Sequence, residues 1–529
     1  MDRSSAFGLA LLMIVPAVTT GCAQNHPYRM TGNSATGWQI PPERPIERDD
    51  KADDYCRWYE GLSRRERRSG AVVPSVERVR DQGTDVYALG YVEIDDHGSP
   101  FSPQQLTRSL EALRPGDDAG VVMVTFVHGW NHNANPCDGN VKNFRVVLRD
   151  LADGEAERAR RVGQPPRHIV GMYIGWRGQS FRTRGLATPF TFWARKHGAH
   201  RVGERSAISV LGQIQRFAEE ISAQAPQSGF VTIGHSFGAA VVHTALEANL
   251  VPELAAAADA AAQGSPVPRI RGLGHVTILL NPAFEAARYR QSFELADQIR
   301  NGPGFSPDQK PVLVSITSGK DQATRRAFKF GMRMRSHRGS FVRDDPRGDE
   351  KQEYLTALGH HAPYRTPNVE LSCVERDAAP MTTTDFVDDR GNDKSARASK
   401  TTVECSIEGW RDPSVGPLLS VYDPHGTLMS GHNDIFNEQV QQLLWRFVGA
   451  IDAPPLVDPV DDPPPTPPEP DVPPTMHPLH DTDGVGALEK RQGDLQAEQH
   501  DPDAQHAPPD TTTAVPHRPP ATAVDAPRP

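Results

Sequence analysis

The chain has 529 residues and a formal net charge of −10. At roughly 150 residues per domain this length would allow three or four domains, but from residue 453 onward about a quarter of the residues are proline and aromatics are nearly absent, a composition that buries no core. That tail carries 14 acidic and 4 basic side chains, so the acidic balance belongs to it, the rest is close to neutral, and no nucleic-acid surface is indicated.

The first element in chain order is a targeting segment. Residues 6–18 form an apolar run too short to span a bilayer as a mature helix, which predicts a signal peptide over 1–21. It closes on Val18-Thr19-Thr20-Gly21-Cys22. This resembles the lipobox of bacterial lipoproteins, with Thr19 standing where leucine is usual. The resemblance implies that Cys22 is diacylated and becomes the new N-terminus, and multiple acyl chains on one residue anchor stably. Ala23 in place of aspartate implies the outer membrane, facing the periplasm. Residues 22–70 read as a linker or extension.

Setting Cys22 aside leaves Cys56, Cys137, Cys373 and Cys405. An exported protein with four cysteines can form two disulfides in three connectivities. Cys373–Cys405 is favoured, because it would tie off the polar, low-complexity stretch 382–402, and Cys56–Cys137 then remains. No zinc spacing is present. His128 and His132 stand four apart, but no glutamate follows the first as in metalloprotease helices.

The body, residues 71–452, alternates strands with helices. Apolar or β-branched runs of strand length fall at 86–94, 121–127, 168–174, 230–233, 275–280, 311–317 and 418–422. Helical stretches are predicted at 140–151, at 207–223 (Ile208, Leu211, Ile214 and Phe217 at helical spacing) and at 239–248. Continuous apolar strands alternating with helices predict an α/β domain with a mostly parallel sheet covered on both faces. Two stretches read as insertions, 178–206 and 325–417. No internal repeat is visible.

The strongest chemical signal is Gly234-His235-Ser236-Phe237-Gly238, between the apolar run 230–233 and a helix opening with Ala239 and Ala240. A serine nucleophile must project from a tight strand-to-helix turn. Glycines two before and two after it leave room for neighbouring chain, and alanines let the helix pack close. The helix N-terminus also aims free N–H groups and its positive dipole end at an oxyanion. A second strand, 121–127, ends in His128-Gly129-Trp130, about a hundred residues earlier.

Together these motifs resemble the α/β-hydrolase superfamily of lipases and esterases over about residues 85–450, the two insertions apart. The resemblance implies an oxyanion hole made by the backbone N–H groups of Trp130 and Phe237, with His128 packing the loop. It implies a carboxylate after the strand that follows the nucleophile strand by two. Asp321, after 311–317 and Ser318-Gly319-Lys320, matches that place. Glu285 is the rival, because some relatives put the acid one strand earlier. The general base is expected between the final strand and the C-terminal helix, where His432 stands ahead of Ile435, Phe436, Val440, Leu443, Leu444 and Phe447. His360 and His361 compete, but they lie in the insertion with no strand before them. The order Ser236, Asp321, His432 is the superfamily's.

The implied activity is a serine hydrolase acting on a small ester or lipid-like substrate through an acyl-enzyme, with no cofactor and no metal. Amide and thioester cleavage are alternatives, since fold does not choose among them. So is a non-catalytic envelope scaffold binding partners through the proline-rich tail. Trp130, Phe190, Phe192, Trp193 and the basic stretch 325–343 are candidates to line or cover the pocket. Oligomeric state is not indicated.

Overall fold

A computed structural model describes residues 26–29, 46–47, 52–69, 73–178, 192–336, 350–377 and 401–449. The signal peptide, Cys22, Phe190 and the tail lie outside these residues. The described chain is built on a nine-stranded sheet. Its strands are β1 (Ile46–Glu47), β2 (Val76–Asp81), β3 (Thr84–Ile94), β4 (Val121–Val127), β5 (His168–Trp176), β6 (Gly229–His235), β7 (Val276–Leu280) and β8 (Leu313–Ser318). A separate antiparallel hairpin, β9 (Glu370–Asp377) with β10 (Thr401–Glu408), precedes the last sheet strand, β11 (Leu418–Asp423).

The order across the sheet is β1-β2-β3-β5-β4-β6-β7-β8-β11, and every neighbouring pair is parallel except β2 with β3. This is the mostly parallel α/β sheet the sequence predicts. Strand β4 shows why its sequence is continuously apolar. Val121, Met123 and Val127 enter the core on one face. Val122, Val124 and Phe126 enter the core on the other. The first face is covered by helices Pro103–Leu113, Ile208–Gln224, Phe237–Ala262 and Arg290–Asn301. The second is covered by Ala52–Gly61, Gly139–Val162 and Glu438–Gly449.

The chain leaves β4 toward β5 on one side and leaves β6 toward β7 on the other. In open parallel sheets the crevice beyond the carboxyl ends of strands at such a reversal is where ligands bind. The loops after β4 and β6 carry His128–Trp130 and Ser236.

Both disulfides form with the expected pairing, Cys56–Cys137 and Cys373–Cys405. The second joins directly opposed residues of the β9–β10 hairpin. The stretch 22–70 contributes to the body as well as linking to it. Tyr55 and Tyr59 of the helix Ala52–Gly61 are buried, and so is Arg29. The Arg29 guanidinium lies 3.3 Å over the Tyr91 ring, pairs with Glu77 at 2.6 Å and donates to the carbonyl of Ala134. Glu77 also receives two hydrogen bonds from Arg145. Burial would push the Glu77 carboxyl up, but Arg145 and Arg29 outweigh it and bring it down to about 2.

Candidate active site

The strand β6 ends at His235, and the next helix starts at Phe237, so Ser236 alone makes the turn. Its backbone stands at φ 55°, ψ −117°, a conformation that costs a non-glycine residue about 1–3 kcal/mol. Packing enforces it. A Cβ on Gly234 would come within 2.7 Å of the Ala239 Cα, and one on Gly238 within 2.1 Å of the Val127 carbonyl oxygen. The Ser236 N–H donates to Leu280 and its carbonyl accepts from Ala283 N, both at 3.1 Å, which ties the turn to the end of β7. The two glycines are therefore positions where a side chain would collide with backbone.

After β4, His128 is fully buried between Trp176 and Tyr173, stacked on both. Its Nε2 accepts from the Trp176 N–H at 3.0 Å, so the proton is on Nδ1, which donates to the Gly129 carbonyl at 2.9 Å. Burial pushes this imidazole down to about 4. With both nitrogens engaged, His128 packs the loop, as expected. A Cβ on Gly129 would lie 2.9 Å from the Ser236 Cβ, so this loop touches the serine. The Trp130 and Phe237 backbone N–H groups make no hydrogen bond among the described residues.

His432 lies beyond β11, and its ring bridges the other two candidates. Its Nε2 is 2.8 Å from the Ser236 Oγ, and its Nδ1 is 2.7 Å from the Asp321 Oδ2. Asp321, three residues past β8, is fully buried. Its Oδ1 accepts the N–H groups of Ala323 (2.9 Å) and Thr324 (3.1 Å), while Oδ2 also accepts the Thr324 hydroxyl. Burial alone would raise this carboxyl; the adjacent His432 and the Thr324 bonds outweigh it and hold it at about 2. A carboxylate so held keeps the His432 Nδ1 protonated and leaves Nε2 free to accept from serine.

The rival acid is engaged elsewhere. Glu285 is buried and accepts from Lys196 Nζ at 2.6 Å, across to the helix Phe192–Val202. His361 is buried beside Tyr364. His360 does reach the site, but behind the acid, with its Nε2 2.9 Å from the Thr324 Oγ1.

Several residues that hold this geometry carry no sequence motif. The Asp423 carboxylate, at the end of β11, accepts the N–H groups of Gly426, Thr427 and Leu428 at 2.9–3.1 Å and folds the loop that presents His432. Asn281 follows β7 at φ 46°. Its Nδ2 donates to the Gly431 and His432 carbonyls (3.2 and 3.1 Å), and its Oδ1 accepts Ser318 N at 2.9 Å. His235 Nε2 donates to the same His432 carbonyl at 2.9 Å. The only signal for Asn281 is an Asn-Pro step after a buried strand; asparagine tolerates positive φ better than most residues.

Beside the serine, the rings of Trp130, Phe192 and Phe237 stand 5.4–6.1 Å apart, with Trp193 and Phe328 next to Phe192. Phe192 and Trp193 pack against the core while staying partly exposed. The basic stretch begins as the turn and helix that Asp321 caps, and Arg325 donates to the Gly319 carbonyl. Among the described residues one acid–thiol group converges, Cys56, Glu60 and Cys137, and its two sulfurs are consumed by the disulfide. His128 and His132 each bond to other partners, His132 to Asp138. Neither set is a metal-ligand arrangement.

No protein-family model matches this chain, and no curated protein does.

Proposed function

We propose that the chain is a serine hydrolase of the α/β-hydrolase type that cleaves carboxylic esters through an acyl-enzyme. One observation carries the reading: a single imidazole bridges a serine on a strained strand-to-helix turn (2.8 Å) and a buried carboxylate (2.7 Å). These three groups come from loops 85 or more residues apart in sequence, after the carboxyl ends of β6, β8 and β11 of one sheet, with β7 between the first two. Supporting it are the backbone N–H groups of Phe237, next to the serine, and Trp130, on the loop whose Gly129 touches it, neither of which is hydrogen-bonded among the described residues.

In the proposed reaction His432 Nε2 takes the Ser236 hydroxyl proton as Oγ attacks the ester carbonyl. Asp321 holds the imidazole in the Nδ1–H tautomer and stabilises the imidazolium that forms. The oxyanion is held by Trp130 N and Phe237 N, such donors being worth about 2.7–4 kcal/mol of barrier each. His432 then protonates the leaving alcohol, and water repeats the cycle in reverse to release the acid. The aromatic rings beside the serine favour an apolar acyl or alcohol group.

The same reading has the protein exported and anchored through acylated Cys22. Among the described residues no helix is long and apolar enough to cross a membrane. A fluorophosphonate probe tests the enzyme reading: wild type is labelled and turns over a short-chain p-nitrophenyl ester, and Ser236→Ala does neither. Equal labelling of both proteins would remove Ser236 as the nucleophile.

A further inference from the structure

We propose that His360 and Thr324 form a positioning relay that fixes the Asp321 carboxylate, so that the insertion 325–417 supplies part of the catalytic geometry. The proposal rests on the serine-hydrolase reading for its kinetic consequence, although the hydrogen-bond chain can be tested without it.

The argument is one of proton accounting. The Thr324 hydroxyl has a single proton and lies against two partners, Asp321 Oδ2 and His360 Nε2. The carboxylate can only accept, so the hydroxyl proton goes to Asp321 and the threonine oxygen accepts the His360 Nε2–H. The chain therefore runs His360 Nε2–H to Thr324 Oγ1–H to Asp321 Oδ2, where it meets the His432 Nδ1–H. Thr324 is buried and opens a helical segment. A threonine hydroxyl there otherwise turns to a carbonyl three or four residues back. A donor on its oxygen removes the gain from that rotation and polarises the hydroxyl toward the carboxylate.

The insertion is built to deliver His360. Thr356 and Leu358 flank Ala357 in a short bridge along Phe284–Ala286, through Ala286 N to the Thr356 carbonyl (2.9 Å) and Leu358 N to the Phe284 carbonyl (3.2 Å). The next residue passes directly over the end of β8, where a Cβ on Gly359 would fall 1.8 Å from the Thr317 Oγ1. Only a glycine passes there, and it brings His360 to Thr324. The His360 ring stands edge-on to Tyr422 at 5.9 Å, and Arg365 covers that tyrosine at 3.7 Å while donating to the Gly359 carbonyl. Burial lowers the imidazole to about 4, consistent with a neutral ring carrying one proton. His360 and Thr324 are placed to act through Asp321, so they are positioning residues.

The test uses the full-length protein and four variants, Thr324→Val, Thr324→Ser, His360→Phe and His360→Gln. Each is read by thermal melting, by kcat and KM on a p-nitrophenyl ester, and by the low-field proton resonance of the His432 Nδ1–H. Valine keeps the shape of threonine without its hydroxyl. It should lower kcat about tenfold to a hundredfold, the scale of one hydrogen bond to a charged group, with KM little changed. The His432 proton resonance should shift. Serine should restore both. His360→Phe should give a smaller loss of the same kind, and glutamine, which keeps an N–H donor, should recover part of it. If Thr324→Val leaves the His432 proton and kcat unmoved, or if valine and serine fall equally, the relay is wrong and Thr324 only packs. Should Thr324→Val fail to fold, His360→Phe decides by the same readouts. A shifted His432 proton in a protein that shows no Ser236-dependent turnover keeps the relay and overturns the hydrolase reading. An unmoved proton in a protein that turns over does the reverse.

Discussion

Adding one methyl group at Gly238 tests how tightly the proposed oxyanion site is built. The alanine Cβ would sit 2.1 Å from the Val127 carbonyl oxygen and 2.5 Å from that of His128, both backbone atoms at the end of β4. Carbon-to-oxygen contacts close in at about 3.3 Å, so the helix Phe237–Ala262 or the loop after β4 must retreat by roughly 1 Å. Those are the elements carrying the Phe237 and Trp130 N–H groups. A donor must lie about 2.7–3.1 Å from the oxyanion, so a retreat of that size takes one donor out of range. Gly238→Ala should therefore lower kcat by about 10²–10³ and cost about 1–3 kcal/mol of stability through overpacking. The assay is ester turnover per fluorophosphonate-titrated site, alongside a melting curve. Gly212→Ala is the control. It lies in the helix Ile208–Gln224 with only a side-chain tip of Arg216 at 4.0 Å. It should leave turnover alone and add up to about 1 kcal/mol of stability. Wild-type kcat in a well-folded Gly238→Ala protein refutes this account of the turn.

The two candidate acids separate by mutation: Asp321→Asn should cost about 10⁴ in kcat through the wrong His432 tautomer, whereas Glu285→Gln removes the buried carboxylate that pairs with Lys196 and should cost mainly stability, about 3–5 kcal/mol. Comparable turnover per folded molecule in the two variants would overturn the choice of Asp321. His243 is fully buried against Phe284, with no hydrogen-bond partner for either ring nitrogen among the described residues, and burial brings it from 6.5 down to about 3. Below pH 6.5 the unfolded chain takes a proton that the fold refuses, so this contribution to stability is present above 6.5 and is lost as pH falls toward 3. His243→Phe should flatten the acid-side decline in melting temperature, and an unchanged slope counts against it. Cys22→Ser should move the protein from the membrane fraction to soluble or unprocessed material; unchanged partition, without incorporated lipid label, speaks against the anchor.

How much of this was legible in the sequence depends on where the information lies. Strands buried on both faces announce themselves as unbroken apolar runs, and β4 has the predicted bounds. Strand β2, Val-Glu-Arg-Val-Arg-Asp, does not, because its charged residues pair with Asp85 and the buried arginines across the fold. The helix Gly139–Val162 runs eleven residues past its predicted end. That extension is held by Glu155, buried and paired with Arg158 and Arg167, rather than by an apolar stripe. At the site, Ser236, Asp321 and His432 were legible because each follows a strand in a recognisable order. Asp423 and Thr324 were not, because they bond within a few residues of themselves and no motif marks them; nor were the roles of Asn281 and His360, each of which works on a segment distant in sequence. Periodicity carries no trace of such a partner.

The buried position of Arg29 has a consequence for the reach of the chain. Arg29 and Tyr28 donate their N–H groups to Glu93 near the carboxyl end of β3, and the Arg29 side chain bonds to Ala134 in the loop after β4. The chain is thus clamped at the carboxyl edge of the sheet, the side on which Ser236 also lies. Cys22 and Arg29 stand seven positions apart, so the chain between them spans at most ~25 Å when fully extended. An acyl anchor on Cys22 would then act as a short leash attached at the carboxyl edge of the sheet, where the proposed triad stands. It would keep that edge within a fraction of a domain diameter of the bilayer and present esters dissolved in the lipid at a far higher local concentration than esters free in solution.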